Sequence, residues 1–248
     1  MDWKIFARSI LVVTEKNMRI YYFKGPVMIF GLLFPLIMFF TFFIGRDLDL
    51  ILFYPGFLGM MLFFTSSSVG PLIMPWEKRE KTYERLVSLP VILESIIIGD
   101  ILAGAVFGTG ITIIVFCLSV LILPLPVANA GLLLLTIILG SVAFAALGTL
   151  LSSPATNNPS NIMMLSSLVR LPIIFISGVF IPLSQLEGWS YMLTSISPLT
   201  YIVDLFHASL NGDAVYPAWL DVPVMILVIL LFIGFAKAIQ KRNLAKGV

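Results

Sequence analysis

Few side chains in this sequence are of a type that could do chemistry. The only histidine, His207, follows Asp204 by three residues in LTYIVDLFHASL, and one histidine with one carboxylate is a small part of the ligand set that a metal ion needs. A polar face on a helix explains the same pair. The sequence contains no Gly-x-x-x-x-Gly-Lys-Ser/Thr loop, no G-x-S-x-G and no H-E-x-x-H motif. We therefore expect no catalytic residue, no metal site and no cofactor in this chain.

One aspartate and one arginine lie within otherwise apolar stretches. Asp100 follows Pro90 by about ten residues, and Arg170 lies about nine residues into a later apolar run, so at about 1.5 Å per helical residue both would reach a similar depth. A charge at that depth is costly unless it is paired, so we predict an ion pair between Asp100 and Arg170. In the alternative, Arg170 extends towards the cytoplasmic headgroups and Asp100 bonds to water or hydroxyls.

The most charged internal stretch is PWEKREKTYERLVSLP, residues 75–90, with seven charged residues between two prolines. Its apolar residues fall at helical spacing and predict one short helix with an apolar stripe, formed by Trp76, Tyr83, Leu86 and Val87. The remaining face carries the charged residues Glu77, Lys78, Glu80, Lys81, Glu84 and Arg85. Such a helix suits a contact with another protein at the membrane surface. The alternative is a solvated, positively charged loop that only fixes topology.

Composition indicates the environment in which these residues lie. The chain has 59% hydrophobic and 11% charged residues, and continuous apolar runs such as IFGLLFPLIMFFTFF predict an all-helical integral membrane protein. A transmembrane β-barrel would show alternating apolar and polar residues instead. The single cysteine, Cys117, excludes an internal disulfide.

The apolar runs divide the chain into one transmembrane domain. Residues 1–24 mix basic and aromatic side chains, which predicts an interfacial helix on membrane lipids and argues against nucleic-acid binding. Six spans are expected, at residues 26–45, 51–74, 91–123, 131–151, 162–181 and 220–236. Residues 182–219 alternate short apolar pieces with prolines and glycines. They predict an outer re-entrant segment, which requires protein around its ends.

Basic residues are concentrated on what would be one side of the membrane. Residues 1–24 contain five Lys and Arg, residues 75–90 contain four and the C-terminal tail contains four, of fifteen in total. Arg46 is alone in the first loop on the opposite side. By the positive-inside rule we expect a multi-pass protein of the cell membrane with both termini in the cytoplasm.

Two motifs, one in the charged stretch and one around the end of the fifth span, occur together in a known family. In the first, Thr82, Glu84, Leu86 and Pro90 match the pattern G-T-L-E-x-L-x-x-x-P. The second is P-I-I-F-I-S-G-V-F-I-P followed by I-S-P-L-T-Y, and its matching residues are Pro172, Ser177, Gly178, Pro182, Pro198 and Tyr201. With these motifs the chain resembles the membrane subunit of type 2 ABC transporters, which include bacterial drug and polysaccharide exporters. Lys81 departs from the pattern at the usual glycine, and Tyr83 at the usual leucine.

The resemblance implies a permease that pairs as a homodimer and binds two copies of a separate ABC ATPase subunit, which would hold ATP and Mg²⁺. Residues 75–90 would then be a coupling helix, and the residues expected to meet the ATPase are Glu77, Glu80, Thr82, Tyr83, Glu84 and Leu86. The residues expected to let span five bend as a gate are Pro172, Ser177, Gly178, Pro182 and Pro198. The implied function is ATP-driven export of a hydrophobic or amphipathic substrate, such as a drug, a lipid or a lipid-linked glycan.

Two functions of other classes are alternatives. An ion-coupled secondary transporter would need an ion site near the midplane and usually an inverted repeat. Asp100 and Arg170 are the charges available for such a site, and the sequence shows no repeat. A membrane assembly factor would need no ATPase partner, so a neighbouring ATPase would distinguish the exporter from both alternatives.

Overall fold

The computed structural model describes residues 3–22, 24–44, 49–88, 91–154 and 158–245, and within these ranges the chain forms helices joined by turns, with no strand. The α-helices of the described ranges are, in chain order, α1 (Trp3–Ile20), α2 (Gly25–Met28), α3 (Phe34–Phe43), α4 (Leu50–Ser67), α5 (Gly70–Arg79), α6 (Thr82–Ser88), α7 (Leu93–Ile122), α8 (Ala130–Ser152), α9 (Pro159–Phe175), α10 (Trp189–Thr194), α11 (Pro198–Leu210) and α12 (Ala218–Ala245). A π-helix, Ile29–Leu33, joins α2 to α3, and a 3-10 turn, Leu183–Gln185, precedes α10.

In the described part of the chain, four helical segments are long and apolar enough to cross a bilayer: Leu50–Arg79, which combines α4 and α5, and the helices α7, α8 and α12. The shortest, α8, has 23 residues, and at 1.5 Å per residue its length of about 35 Å exceeds the roughly 30 Å hydrocarbon layer. Two shorter apolar helices, Ile29–Thr41 and Pro159–Phe175, lie where the first and fifth spans are predicted. The all-helical, polytopic fold class is therefore confirmed, whereas the side on which each terminus lies stays a prediction.

Helix α4 lies at the centre of the bundle and packs against α7, α8 and α11. Its residues Leu58, Met60, Leu62 and Phe63 have no exposed surface, and the ring of Phe63 meets that of Phe144 on α8 edge-on, with 4.9 Å between centroids. Lipid supplies no hydrophobic driving force between helices, so helices in a membrane associate through close packing of this kind. The rest of the bundle is arranged around this α4–α8 pair.

The first span is not a regular helix. A π-helix, Ile29–Leu33, replaces part of it, and the backbone N–H of Phe34 donates to the carbonyl of Ile29. Pro35 follows directly, and a proline ring inside a helix clashes with the carbonyl four residues earlier, here that of Gly31. The distortion that a proline imposes on a helix takes the form of a π-helix in this span.

The largest differences between predicted span ends and helix ends are at α9 and α12. Helix α9 ends at Phe175, whereas the fifth span is predicted to reach residue 181, because the chain turns at Gly178, whose φ is +75°. Helix α12 continues to Ala245, whereas the sixth span is predicted to end at residue 236. Its last turns are held by an ion pair from Lys237 to Glu94 on α7. They are also held by a hydrogen bond from Asn243 to the carbonyl of Ser153.

Within the segment after α9, helix α11 packs back against the bundle, and an outer re-entrant position of residues 182–219 stays a prediction. In α11 the side chains of Leu199, Ile202, Val203 and Phe206 have no exposed surface, and the helix packs against α4, α8 and α12. The carboxylate of Asp204 accepts hydrogen bonds from two backbone N–H groups of the following loop, at 2.9 and 2.8 Å. Protein therefore surrounds α11, which is the condition for a re-entrant structure.

Candidate functional site

The charged stretch forms two helices, so the prediction of one helix over residues 75–90 is wrong. Helix α5 continues from the second span through Pro75 to Arg79, and α6 begins at Thr82. Between them Lys81 has a φ of +55°, in the left-handed region that favours glycine. The turn is closed by a hydrogen bond of 3.1 Å from the N–H of Lys81 to the carbonyl of Lys78. Pro90, the predicted end of the helix, lies outside the described residues.

Helix α6 is fixed to the turn by its own first residues. The hydroxyl of Thr82 donates to the carbonyl of Glu77 at 3.2 Å. The ring of Tyr83 is buried, and the ammonium group of Lys78 lies 5.7 Å from its centroid. Burial raises the pKa of Tyr83 to about 12, with a smaller contribution from the nearby carboxylates of Asp100 and Glu77. Tyr83 therefore anchors α6 to its own chain.

Of the glutamates predicted to face a partner protein, Glu77 is turned inward. Its side chain is almost fully buried, and its carboxylate forms an ion pair with Lys16 of α1. Its predicted place on the exposed charged face is therefore wrong, because α1 covers this side of α5. Glu80 is exposed, as is Arg85 on α6. The backbone of Glu84 lies within α6, and its side chain lies outside what the structure describes.

A stacked aromatic pair also joins α1 to α5. The rings of Tyr21 and Trp76 lie 5.6 Å apart with an interplanar angle of 15°. The ammonium group of Lys24 lies 4.5 Å from the Trp76 centroid and 5.0 Å from that of Tyr21, within the range of a cation–π interaction. Between α1 and α6 lies a cavity of about 340 Å³, lined by Lys16, Ile20, Tyr21, Glu77, Thr82, Arg85 and Leu86.

The same helix α1 is docked on α7. The hydroxyl of Thr14 donates to the carbonyl of Gly99 at 3.2 Å, and the side-chain amide of Asn17 donates to the carboxylate of Asp100 at 2.6 Å. A methyl group at Gly99 would lie 2.7 Å from Val13, so only glycine permits this approach. Helix α1 therefore contacts α5 through Lys16 and α7 through Asn17.

The predicted ion pair between Asp100 and Arg170 is not formed. The ion pairs among the described residues are Lys16–Glu77, Arg19–Glu15 and Lys237–Glu94. Arg170 donates from Nε to the carbonyl of Ser166 at 3.3 Å, and its guanidinium lies 5.8 Å from the centroid of Phe64. The depth estimate gave no information on which faces of α7 and α9 the two side chains occupy, and Asp100 faces α1.

The residues predicted to act as a gate lie at the junction of α9, the following turn and α11. Pro172 is inside α9, and the buried hydroxyl of Ser177 donates to the carbonyl of Ile174 at 2.7 Å. A methyl group at Gly56 of α4 would lie 2.5 Å from the carbonyl oxygen of Val179, so the turn presses against the central helix.

The start of α11 is tied to the same junction. Pro198 is the first residue of α11. The hydroxyl of the preceding Ser197 donates to the carbonyl of Ile173 on α9 at 3.2 Å. Pro182 is buried directly before the 3-10 turn. The structure thus brings the gate residues together, and their role as a gate stays a prediction.

The His207 and Asp204 pair lies on α11. Asp204 is committed to the two backbone N–H groups already described, and His207 is partly buried beside it. Burial lowers the pKa of His207, and Asp213 opposes that change. Within the described ranges no group of three or more His, Cys, Asp or Glu side chains is placed to hold a metal ion.

Sequence reasoning missed the part that α1 plays in the site. Val13 and Asn17 are four residues apart on α1 and are both buried, so they lie on one face of the helix. A polar residue on the apolar stripe of an amphipathic helix was the available signal, because a buried amide needs a partner. That signal would have placed Asn17 against a second helix.

Comparison with known proteins gives a consistent result. The sequence profile of the ABC-2 type transporter family matches residues 8–211. The inner membrane transport permease YadH of Escherichia coli K12 is 26% identical over 155 residues, which are 62% of this chain and 60% of YadH. Nodulation protein J of Rhizobium leguminosarum bv. viciae is 24% identical over 176 residues, 67% of this chain and 64% of that protein. The chain thus spans about 60% of the length of these relatives.

Proposed function

Because this chain belongs to the ABC-2 type transporter family, we propose that it is the membrane subunit of an ATP-driven exporter. ATP and Mg²⁺ would be bound by a separate ABC ATPase present in two copies, and this chain would pair with a second copy of itself. The similarity to a protein named as a transport permease supports transport. The long apolar helices support a multi-pass position in the membrane. A hydrophobic or amphipathic substrate suits spans that are dominated by apolar side chains.

The observation that carries the proposal is a chain of contacts that leads from α6 through α5 to α1 and α7. Thr82 holds the start of α6 to the carbonyl of Glu77, and the carboxylate of Glu77 holds Lys16 on α1. The next residue of α1, Asn17, holds Asp100 on α7. A displacement of α6 would therefore be carried into α1 and α7 through packed side chains and hydrogen bonds.

Helix α6 and the preceding turn form the surface that we propose for the ATPase. Glu80 and Glu84 would meet basic residues of the partner, and Thr82 and Leu86 would contribute from the rim of the cavity beside α1. Tyr83 would support α6 from within. Glu77 would act through Lys16, because its carboxylate is buried.

The gate that we propose lies at the far end of α9. Pro172, Ser177, Gly178 and Pro182 interrupt helical hydrogen bonding over a short segment, and Pro198 starts α11 beside it. Proline and glycine at such positions allow a few residues to absorb a change of backbone angle. Movement of α9 against α11 would open and close a path between two copies of the chain.

Copurification tests the proposed contact. The full chain with an affinity tag is isolated in a mild detergent from cells that also contain its ATPase, as the native sequence and as Glu84→Arg. We expect an ATPase of the ABC type to accompany the native chain and to be lost with the reversal. The matched control is Glu187→Arg, the same change at an exposed position in the predicted outer segment, which should retain the ATPase. Equal recovery with all three chains would contradict the assignment of α6.

A further inference from the structure

A buried arginine that has no charge partner among the described residues lies between α9 and the central helix α4. Arg170 is only 7% exposed. Its Nε atom bonds to the carbonyl of Ser166, yet Nη1 has no hydrogen-bond partner within the described ranges. The hydroxyl of Ser166, which is fully buried, also has no partner there. Two polar groups with unused hydrogen-bonding capacity thus lie one helical turn apart on α9.

A small cavity lies at this position. Its volume is about 20 Å³, and its lining residues include Phe30 of the π-helix, Ser68, Pro71, Ser166, Ser167 and Arg170. None of the described residues that line it is acidic. A cavity of this size holds about one water molecule or one oxygen atom. The lining therefore offers one guanidinium and several hydroxyls to a single oxygen.

The chemistry of this cavity selects for an anion. A cation in a low-dielectric environment is costly unless an opposite charge and hydrogen bonds compensate it. Arginine forms its strongest contacts with the oxygens of carboxylates and phosphates. The carboxylate that the sequence predicts as its partner, that of Asp100, is bonded to Asn17 instead. Among the described residues no carboxylate forms an ion pair with Arg170, so an anion bound from outside would supply the compensating charge.

We propose that Arg170, with Ser166, binds the anionic oxygen of a phosphate or carboxylate headgroup of an amphiphile that enters from the bilayer. As a statement about the transported substrate, this rests on the proposed function. It narrows the substrate class from hydrophobic or amphipathic molecules to amphiphiles with a negatively charged headgroup.

The surroundings provide a place for the apolar part of such a molecule. Phe64 of α4 contacts both the guanidinium of Arg170 and the ring of Phe34, the latter at 4.9 Å between centroids. Phe34 also lines an apolar cavity of about 690 Å³ together with Ile37 of α3 and Phe175 of α9. A cationic site and an apolar cavity are thus linked through one aromatic ring, which matches the two ends of an amphiphile.

The π-helix is the element able to adjust to a larger headgroup. Phe30 on this segment lines the small cavity, and a methyl group at Gly31 would lie 3.1 Å from the hydroxyl oxygen of Ser68. A π-helix is rarer than an α-helix and often occurs at a functional position. Movement of this segment would enlarge the cavity beyond one oxygen.

The test measures thermal unfolding of the full chain in an uncharged detergent. Dodecyl phosphate is compared with dodecylphosphocholine, which has the same tail and a zwitterionic headgroup, and with inorganic phosphate. We expect dodecyl phosphate alone to raise the unfolding temperature, by a few degrees. For Arg170→Met we expect affinity for dodecyl phosphate to fall about tenfold or more.

Two variants keep this test decisive. Arg242→Met makes the same change at an exposed position of α12 and should bind dodecyl phosphate as the native chain does. Ser166→Ala removes one hydroxyl from the site and should weaken binding less than Arg170→Met. Equal effects of dodecyl phosphate on the native chain and on Arg170→Met would overturn the site. An equal effect of inorganic phosphate would overturn the requirement for an amphiphile.

A second readout separates a transported amphiphile from a resident lipid. In the complex with the ATPase, dodecyl phosphate should stimulate ATP hydrolysis if its headgroup is that of a substrate. Binding without stimulation would overturn the substrate assignment. If no ATPase accompanies the chain but dodecyl phosphate still binds through Arg170, the exporter proposal fails and the anion site stands.

Discussion

The buried carboxylate of Glu77 on α5 is neutralised by Lys16 on α1, and this ion pair joins the N-terminal helix to the turn that carries α6. Glu77 is 3% exposed, and Lys16 balances the negative charge of its carboxylate within the chain. The contact explains why Glu77, predicted to lie on the charged face, is buried. It also gives α1 a mechanical connection to the proposed ATPase contact.

Removal of Lys16 should destabilise the protein. Lys16→Met leaves the carboxylate of Glu77 buried and unpaired, which costs about 3 kcal/mol. The double variant Lys16→Met with Glu77→Gln removes both charges and should recover most of that loss. The measurement is the unfolding temperature in detergent, arranged as a double-mutant cycle. Additive losses in the double variant would show that the pair is not coupled.

Replacement of Lys81 by glycine should stabilise the turn. Lys81 has a φ of +55°, and a left-handed conformation costs a residue with a Cβ atom about 1–2 kcal/mol. Part of the gain is offset because glycine loses more backbone entropy on folding. We expect a net gain of about 0.5–1 kcal/mol for Lys81→Gly. Glu80→Gly, at a φ of −85°, is the matched control and should give no gain in the same unfolding measurement.

Removal of the Asn17 side-chain amide should destabilise the protein, because the carboxylate of Asp100 loses its hydrogen-bond donor. Asn17→Ala leaves a buried carboxylate without its hydrogen-bond donor, at a cost of about 1–3 kcal/mol. Ser9→Ala removes a hydroxyl that bonds only within the exposed side of α1, and should cost little. Arg170→Met combined with Asp100→Asn should give additive changes in unfolding free energy, since Arg170 and Asp100 do not pair. A coupling above about 1 kcal/mol would restore the ion-pair interpretation.

A side chain at Gly178 should impair the turn after α9. Gly178 has a φ of +75°, and an added methyl group would lie 3.1 Å from Leu183, so Gly178→Ala combines backbone strain with crowding. We expect a loss of about 1–2 kcal/mol and weaker stimulation of ATP hydrolysis by substrate. Gly188 has a similar φ of +60° but no neighbour within 4 Å. Gly188→Ala should therefore reproduce the backbone strain without weakening the stimulation of ATP hydrolysis by substrate. Identical ATPase behaviour of the two variants would argue against a gate at this turn.

The sequence predicted the parts of the fold that depend on local pattern. Continuous apolar runs predicted the long helices α7, α8 and α12, because a helix that is apolar on all sides is typical of a membrane span. Short pieces broken by Pro198 and Gly212 predicted the segment that folds back as α11. The two motifs indicated the family that the profile match shows.

The contacts within the site could not be predicted in the same way. Which helix covers Glu77 depends on the docking of α1, and neither periodicity nor depth determines the neighbours of a helix face. The turn at Lys81 between α5 and α6 could not be predicted either, since a lysine gives no signal for a left-handed conformation. The usual glycine at that place in the family pattern was the one available sign.

ATP hydrolysis in the purified fraction tests the central claim most directly. The proposed function assigns Mg²⁺-dependent hydrolysis in that fraction to a second protein, the ABC ATPase. The account predicts hydrolysis with the native chain and with Glu187→Arg, and its loss with Glu84→Arg. If the native chain is recovered alone and inactive under mild detergent, the account is contradicted, and Asp100 and Arg170 become the residues to test for ion-driven transport.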